Sequence, residues 1–230
     1  MGKEGAEMIG IIGGTSLLNA DLPELEKKVI HTPYGNSEVF CGDYVLLLRH
    51  HRNKMPHRIN YRSHLAALAE LGVSRIITIG SAGSLKREIP PGSLLIPDDY
   101  ISTTTIPSIH DLRIQHVPAG FSPALTHRLA EIIPDARVGG VYIQTRGPRI
   151  ETRAEVQALA RIADIVGMTI ASEATLAVEL GIEVAALCTI DNYANGLSDE
   201  ALIYEHILAS AIEHKERTGE IVKRIIRRLA

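Results

Sequence analysis

The stretch YRSHLAALAELGVSRIITIGSAGSL, residues 61–85, decides the fold class of this chain. Its first part, residues 61–71, places apolar side chains at helical spacing, and Gly72 follows as a residue that can adopt the left-handed conformation ending a helix. The apolar run 75–79 is then typical of a buried strand, and it leads into the small residues 80–84, which let backbone and ligand approach closely. A helix joined through one glycine to a buried strand predicts part of an α/β sheet.

The same pattern recurs along the chain. Four more short apolar runs predict buried strands, at residues 9–12, 44–48, 93–96 and 183–190. Helical spacing predicts further helices at residues 153–162, 173–180 and 199–229, and the second of these leads through Gly181 into a strand. We therefore expect one α/β domain, residues 1–230, with a mixed, largely parallel central sheet flanked by helices.

The composition is that of a globular protein, with 45% hydrophobic and 22% charged residues. The formal net charge of −3 gives no general attraction to polyanions. The basic run 223–228 lies on a helical pattern beside Glu220, so we predict a solvated helix face rather than a nucleic-acid site.

We expect a cytoplasmic protein. Cys41 and Cys188 lie in apolar contexts without CxxC spacing, which favours buried, reduced thiols. Residues 1–7 carry mixed charge and do not resemble a secretory signal. No stretch approaches the roughly 18 apolar residues of a membrane span, so no membrane association is expected.

Three predicted strand ends carry groups that can bind an anion. Residues 9–12 run into Gly13, Gly14, Thr15 and Ser16, a sharp turn whose amides and hydroxyls can hold a phosphate, although an ordinary tight turn fits equally well. These glycines do not match the dinucleotide fingerprint, which counts against a nucleotide-binding oxidoreductase.

The second strand end, after residues 44–48, delivers Arg49 and His50. Ligands of open α/β sheets gather at this end of the strands, an Arg fork matches phosphate geometry, and His can donate a further hydrogen bond. The third strand end offers Gly80 and Ser81. A solvated basic loop is the better interpretation for Arg52, Lys54 and Arg58. We expect no metal site, because no usual zinc spacing fits His50, His51, His57 and His64.

Several segments together resemble the trimeric purine nucleoside phosphorylase and methylthioadenosine phosphorylase family. They occur in the family's order and cover most of residues 9–195. They are GIIGGTSLL (10–18), HTPYG (31–35), LLRHH with the following NYRSHLAAL (47–68), ITIGSAGSL (77–85), QTRGPRIETRAE (144–155) and DIVGMTIASEATLA (164–177).

The resemblance implies a nucleoside phosphorylase fold, a homotrimer or dimer of trimers, and inorganic phosphate as co-substrate beneath the ribose, with no metal or organic cofactor. Met168 matches the family methionine along the ribose; without that context it would be interpreted as a core methionine. The implied phosphate ligands are Thr15, Arg49, His50, Gly80, Ser81 and Thr169.

Base choice is predicted from Glu151, which follows the GPR motif where the 6-oxopurine branch of the family has its glutamate. An ionised Glu151 can accept the N1 hydrogen of a 6-oxopurine, and adenine has no such donor. The alternative is a glutamate that merely favours a helix start.

The second base contact depends on register. The best register places Asn192 opposite N7 and the 6-substituent, where an amide can donate to O6. A slip of one residue would place Asp191 there and favour an amino group. Asp191 could instead orient a neighbour or take part in proton delivery.

The expected reaction is phosphorolysis of a 6-oxopurine nucleoside, namely inosine, guanosine or 5'-methylthioinosine. It yields the free base and ribose 1-phosphate or its 5-methylthio analogue, in purine salvage. A 5'-methylthioadenosine phosphorylase is the alternative, and a non-catalytic nucleoside-binding protein would not need several phosphate ligands. The predicted catalytic residues are Asn192, Glu151 and Asp191, and the substrate-binding set adds Met168, Tyr193, Ala194 and, at the 5' end, Tyr204.

The polar segment 102–120 is predicted to be a long loop over the surface or a subunit contact. If the chain assembles as the resemblance implies, His116 is the residue expected to reach the site of a neighbouring subunit.

Overall fold

One 11-stranded sheet organises the molecule, and the computed structural model describes residues 8–14, 17, 25–198 and 215–229. The strands are β1 (Met8–Gly13), β2 (Glu26–Thr32), β3 (Gly35–Cys41), β4 (Val45–Leu48), β5 (Val73–Ser84), β6 (Leu94–Ile96), β7 (Asp99–Ser102), β8 (Arg137–Val138), β9 (Val141–Gln144), β10 (Ile165–Gly167) and β11 (Glu183–Tyr193). The helices are α1 (Tyr61–Glu70), α2 (Pro123–Ile132), α3 (Arg153–Leu159), α4 (Ile170–Glu179) and α5 (Lys215–Leu229), with 3-10 turns at His51–Asn53 and Pro56–Arg58.

The centre of the sheet is parallel. Strand β1 pairs in parallel with β4 and β5, and β11 pairs in parallel with β5. The order is β2-β3-β4-β1-β5-β10-β9-β7, while β11 pairs with β5 and β6, and β8 with β6. Antiparallel pairs join β2 to β3, β3 to β4, β10 to β5 and β11 to β6. The predicted mixed, largely parallel sheet flanked by helices is confirmed.

Helices cover both faces of the central strands. Helices α1 and α4 contribute Leu65, Leu68 and Ala174 to the apolar core on one face. Helices α2 and α5 contribute Leu129 and Ile225 on the other. Because the carboxyl ends of parallel strands lie at the same edge of a sheet, the loops after β1 and β4 lie next to each other.

Both predicted helix-to-strand junctions are confirmed, since Gly72 and Gly181 have φ of 75° and 73°. The strand ends differ from prediction. Strand β5 continues through Ser84 and β11 through Tyr193, because these segments pair with each other. Helix α2 and six strands (β2, β3 and β7 to β10) had no predicted counterpart.

Residues 103–122 contain no helix or strand, which confirms the predicted loop. Helix α5 buries Ile221 and Ile225 and exposes Arg227 and Arg228, so the basic run is a solvated helix face as predicted. Residues 199–214 of the predicted C-terminal helix lie outside the described residues. Cys41 is partly buried, Cys188 is buried, and both are free thiols. Within the described ranges, no helix has the length and apolarity needed to cross a membrane.

Candidate active site

Arg49 follows β4 at the edge where β4 and β1 end beside Ile79 of β5. Its side chain is 1% exposed, and its fork faces Glu173 of α4, with Nε and Nη2 donating to the carboxylate at 2.6 and 2.8 Å. Nη1 donates to the Ile79 carbonyl at 2.7 Å and Nη2 to the Thr78 hydroxyl at 2.8 Å. The Thr78 hydroxyl in turn donates to Glu173.

The bidentate face of Arg49 is therefore taken by a carboxylate, which corrects the expectation that this fork is free for phosphate. The physical reason is that a buried guanidinium requires a charged partner. A guanidinium has five N–H groups, and the four bonds above leave one on Nη1. A Cβ on Gly14 would lie 2.7 Å from Nη1, and one on Gly80 would lie 3.8 Å away, so these glycines leave the approach to Nη1 open. Contact between Arg49 and phosphate stays a prediction, through one N–H.

His50 is half-buried, and its Nδ1 lies 2.8 Å from the carbonyl oxygen of Lys54. A carbonyl only accepts, so Nδ1 carries the proton. Burial, and then the positive charge of Arg49, lower the pKa of His50 below its ordinary value, against the opposing effects of the hydrogen bond to the Lys54 carbonyl and then of Glu173. At neutral pH the other nitrogen, Nε2, is an acceptor.

Thr169 is the N-cap of α4, but its side chain makes no capping hydrogen bond. The helix start is held from β9 instead. The Tyr142 hydroxyl accepts from the amides of Thr169 and Ile170 at 3.2 and 3.3 Å, and Gln144 accepts from the Ser172 amide at 3.0 Å. These contacts fix the start of α4, and with it Thr169, relative to β9.

Ser81 lies in β5 beyond Gly80, and its hydroxyl donates to Oδ2 of Asp191 in β11. Asp191 is 6% exposed. Because a serine hydroxyl has one proton, the Ser81 side chain has no further proton to donate to phosphate, whereas its main-chain amide is a possible donor. The structure thus gives Asp191 a neighbour to orient, which was one of the roles considered for it.

Glu151 is 7% exposed, and Oε1 accepts from the Thr145 hydroxyl at 2.5 Å. Its main-chain oxygen accepts from Nδ2 of Asn195 at 3.0 Å. Asn195 follows β11 by two residues, so the segment after the GPR motif packs against the end of β11. Glu151 does not cap α3, because the capping box of that helix is made by Thr152 and Glu155; its contact with a purine stays a prediction.

The end of β11 carries the other predicted base contacts. Asn192 pairs with Gly83, and its Nδ2 donates to the Tyr193 carbonyl at 2.8 Å. The Tyr193 hydroxyl donates to the Arg87 carbonyl at 3.1 Å, so its polar tip is engaged on the loop after β5. Ala194 is 3% exposed within an apolar cluster.

Met168 lies between β10 and Thr169, and a Cβ on Gly147 would collide with its sulfur. Its main-chain oxygen accepts from the Tyr61 hydroxyl at 3.4 Å. The ribose methionine and the GPR motif predicted from sequence are therefore in direct contact. Thr15 and Tyr204, predicted for phosphate and for the 5' end, lie outside the described residues.

The residues that sequence reasoning missed are those that hold the site together. A signal existed for Glu173, because a carboxylate among the apolar residues of IASEATLAVE is rarely buried without a partner. Nothing in the sequence marked Tyr142, and although Gln144 and Thr145 lie in the QTRGPRIETRAE segment, their hydrogen-bond partners Ser172 and Glu151 were not predicted. Over the described ranges, no three His, Cys, Asp or Glu side chains group as metal ligands.

Known proteins are similar to this chain over nearly its whole length. The phosphorylase superfamily matches residues 8–227. An Archaeoglobus fulgidus protein named "Probable 6-oxopurine nucleoside phosphorylase" is 41% identical, over 96% of this chain and 97% of its own. A Methanocaldococcus jannaschii protein named "Probable S-methyl-5'-thioinosine phosphorylase" is 36% identical, over 95% of this chain and 92% of its own.

A solved structure shows the same fold. Methylthioadenosine phosphorylase from Schistosoma mansoni in complex with adenine has a TM-score of 0.88 at 21% identity, and covers 96% of this chain and 90% of its own. At this identity the likeness speaks for the fold alone, and it confirms the predicted nucleoside phosphorylase fold.

Proposed function

This chain belongs to the phosphorylase superfamily, and from that membership we propose that it cleaves 6-oxopurine nucleosides with inorganic phosphate. The products are the free purine base and ribose 1-phosphate or its 5-methylthio analogue. The names of the Archaeoglobus and Methanocaldococcus relatives both denote phosphorylases of 6-oxopurine nucleosides, which supports this substrate class over methylthioadenosine.

The observation that carries the proposal is the contact between Glu151 and the end of β11. Asn195 donates to the Glu151 main chain, and Thr145 donates to its carboxylate, so a buried acceptor stands next to the segment that presents Asn192. The N1 hydrogen of a 6-oxopurine matches the acceptor, and O6 matches the amide donor. Adenine would leave Glu151 facing a nitrogen that also accepts.

The reaction requires an anion beside a developing cation. The purine departs with the electrons of the glycosidic bond as the ribose gains oxocarbenium character, and a phosphate oxygen forms the new bond to the anomeric carbon. Arg49, His50, Gly80 and the main chain of Ser81 position the phosphate in this proposal. Glu151 and Asn192 stabilise charge on the leaving base. Such preorganised contacts act by positioning and electrostatics, and neither a metal nor an organic cofactor takes part.

We propose that the chain acts in cytoplasmic purine salvage as a homotrimer, alone or as a dimer of trimers. The loop 103–122 supports this assembly. Its base is tied down because Glu179 accepts from Ser108 and from the Ile109 amide at 2.9 and 2.6 Å. At its tip Leu112 and Ile114 are 100% and 92% exposed, an apolar pair that a second subunit would bury. His116 lies beyond this pair on the same exposed stretch and would reach the neighbour's site.

One assay separates the possible functions. Release of free base is measured with and without phosphate from inosine, guanosine, adenosine, 5'-methylthioinosine and 5'-methylthioadenosine. We expect release only with phosphate, with at least roughly tenfold preference for 6-oxopurines, because an unpaired buried group costs about 1 to 3 kcal/mol. Release in water would indicate a hydrolase, and no release a binding protein. Efficient use of methylthioadenosine would overturn the pocket assignment.

A further inference from the structure

The ladder between β5 and β11 is interrupted beside the proposed base pocket. It is regular up to the pair Ile190–Ala82, and its next pair is Asn192–Gly83. Asp191 is therefore an extra residue on β11, a β-bulge. Bulges are frequent next to active sites because they re-aim the side chain that follows.

This bulge decides which residue stands opposite Gly83. With it, Asn192 holds that position, and a Cβ on Gly83 would lie only 3.2 Å from the Asn192 amide nitrogen. Without it, the regular ladder would place Asp191 opposite Gly83 and move Asn192 one position on. A one-residue shift reverses the face of every following side chain. The register of β11 against β5 therefore decides whether an amide or a carboxylate faces the purine.

The bulged residue is held by its side chain. Asp191 is 6% exposed, and its carboxylate accepts from the hydroxyl of Ser81, one strand away in β5. Hydrogen bonds to a charged acceptor are stronger than neutral ones. The bond is formed with Asp191 out of the ladder position opposite Gly83, and so it stabilises the bulged register.

We propose that the Asp191–Ser81 hydrogen bond locks the bulge and so presents Asn192, rather than a carboxylate, to the purine. Asp191 is then a positioning residue for base choice. The inference rests on the proposed function and adds to it the device that sets selectivity between 6-oxopurines and 6-aminopurines.

The test compares catalytic efficiency for inosine with that for adenosine, as a ratio, in a small set of variants. Ser81→Ala removes the donor of this bond, and Asp191→Ala removes the acceptor. Each should lower the ratio by about tenfold or more. In Ser81→Ala the bond that favours the bulge is lost and the carboxylate can enter the position opposite Gly83, so adenosine efficiency should also rise. The double variant should lose no more than either single variant, because both remove the same bond.

Two further variants exclude other roles. Asp191→Asn keeps an oxygen that accepts from Ser81, so the ratio should stay within about threefold of wild type. Thr189→Val is the matched control: Thr189 pairs with Ser81 in the ladder, and its buried hydroxyl has no partner among the described residues. Removing that hydroxyl should leave the ratio unchanged.

Three results would overturn the proposal. If Ser81→Ala keeps the wild-type ratio, the bond does not set base choice. If Asp191→Asn falls as far as Asp191→Ala, the carboxylate acts by its charge. If the rates with inosine and adenosine fall equally while the KM for phosphate rises, the Asp191–Ser81 pair contributes to phosphate binding and not to base choice. If Asp191→Ala does not fold, the efficiency ratios of Ser81→Ala and Asp191→Asn still test the proposal. A wild-type enzyme without phosphate-dependent cleavage would instead overturn the proposed function itself.

Discussion

Arg49 and Glu173 form a buried ion pair, joined at Nε and Nη2 by bonds of 2.6 and 2.8 Å. Each side chain is 1% exposed. The pair connects the loop after β4 to α4, and Thr78 links both to β5. Four N–H groups of this guanidinium thus form hydrogen bonds within the fold, and one on Nη1 remains for the proposed phosphate.

Arg49→Ala should therefore have two separable effects. It leaves Glu173 buried without its cation, which costs about 3 to 5 kcal/mol in unfolding free energy. It also removes the Nη1 donor, so the phosphate KM should rise several-fold or more. Urea unfolding measures the first effect and phosphate saturation the second.

The double variant Arg49→Met, Glu173→Leu distinguishes these effects. Replacing a buried ion pair by apolar residues is often near neutral in stability. We expect the double variant to recover most of the lost stability while phosphate saturation stays impaired. Recovery of the wild-type phosphate KM would show that Arg49 serves only the fold.

The sequence predicted the parts of the fold that depend on local pattern. The junctions at Gly72 and Gly181 and the strands β1, β4 and β5 follow from apolar runs and glycines close together in the chain. The short strands β8 to β10 carry two to four residues each, too few for a periodicity to show. Their place is set by pairing with residues far away in sequence.

The sequence predicted which residues belong to the candidate site, but it did not predict the side chains to which they are hydrogen-bonded. Arg49 stands at the strand end expected for a ligand, yet its fork belongs to Glu173, 124 residues later. Likewise, the carboxylate of Asp191 is engaged by Ser81, 110 residues earlier. Residue type and strand end are local properties, whereas the hydrogen-bond partner of a buried charge is a property of the tertiary structure.

Thr145 should tune base choice through Glu151. Its hydroxyl donates to Oε1 at 2.5 Å, so Thr145→Val removes a support from a buried carboxylate at constant volume. We expect the catalytic efficiency of Thr145→Val with inosine to fall by several-fold to about tenfold. Glu151→Gln should reduce this efficiency further and also narrow the preference for inosine over adenosine.

Steady-state kinetics with inosine and adenosine check the Thr145 prediction. Arg149→Ala is the control, because its ion pair with Glu155 on the same segment is solvent-exposed and should contribute little. Thr145→Val with wild-type efficiency would show that Glu151 needs no such support.

His50 should make sulfate inhibition depend on pH. With Nδ1 donating to Lys54, neutral His50 presents an acceptor at Nε2, which suits the P–O–H of hydrogen phosphate and not sulfate. Protonation turns Nε2 into a donor. Since the pKa lies below 6.5, the inhibition constant of sulfate should fall by up to about tenfold per pH unit on acidification towards that pKa, then level off.

Competition between sulfate and phosphate, measured from about pH 8 downwards, checks the His50 prediction. In His50→Gln the side chain no longer titrates, so the change of the sulfate inhibition constant with pH that is assigned to His50 should disappear. A wild-type inhibition constant that ignores pH would contradict the assignment of Nε2 as an acceptor.

His64 should make the fold acid-sensitive. It is 9% exposed on α1, its Nδ1 has no hydrogen-bond partner among the described residues, and burial, with Lys54 and Arg49 adding to it, lowers its pKa to about 4. In the unfolded chain the pKa returns to about 6.5, so the unfolded state binds the extra proton between these values. The stabilisation is complete above pH 6.5 and is lost as the pH falls towards 4, by about 3 kcal/mol in total.

Urea unfolding of wild type and His64→Gln at several pH values between about 7 and 4 isolates this contribution, because the other titrating groups are common to both proteins. The stability advantage of wild type over the variant should shrink as the pH falls. His127→Gln, at a histidine whose side chain is 77% exposed on α2, is the control for replacing a histidine by glutamine. If the difference between wild type and His64→Gln does not change with pH, His64 is not the group whose protonation opposes the fold.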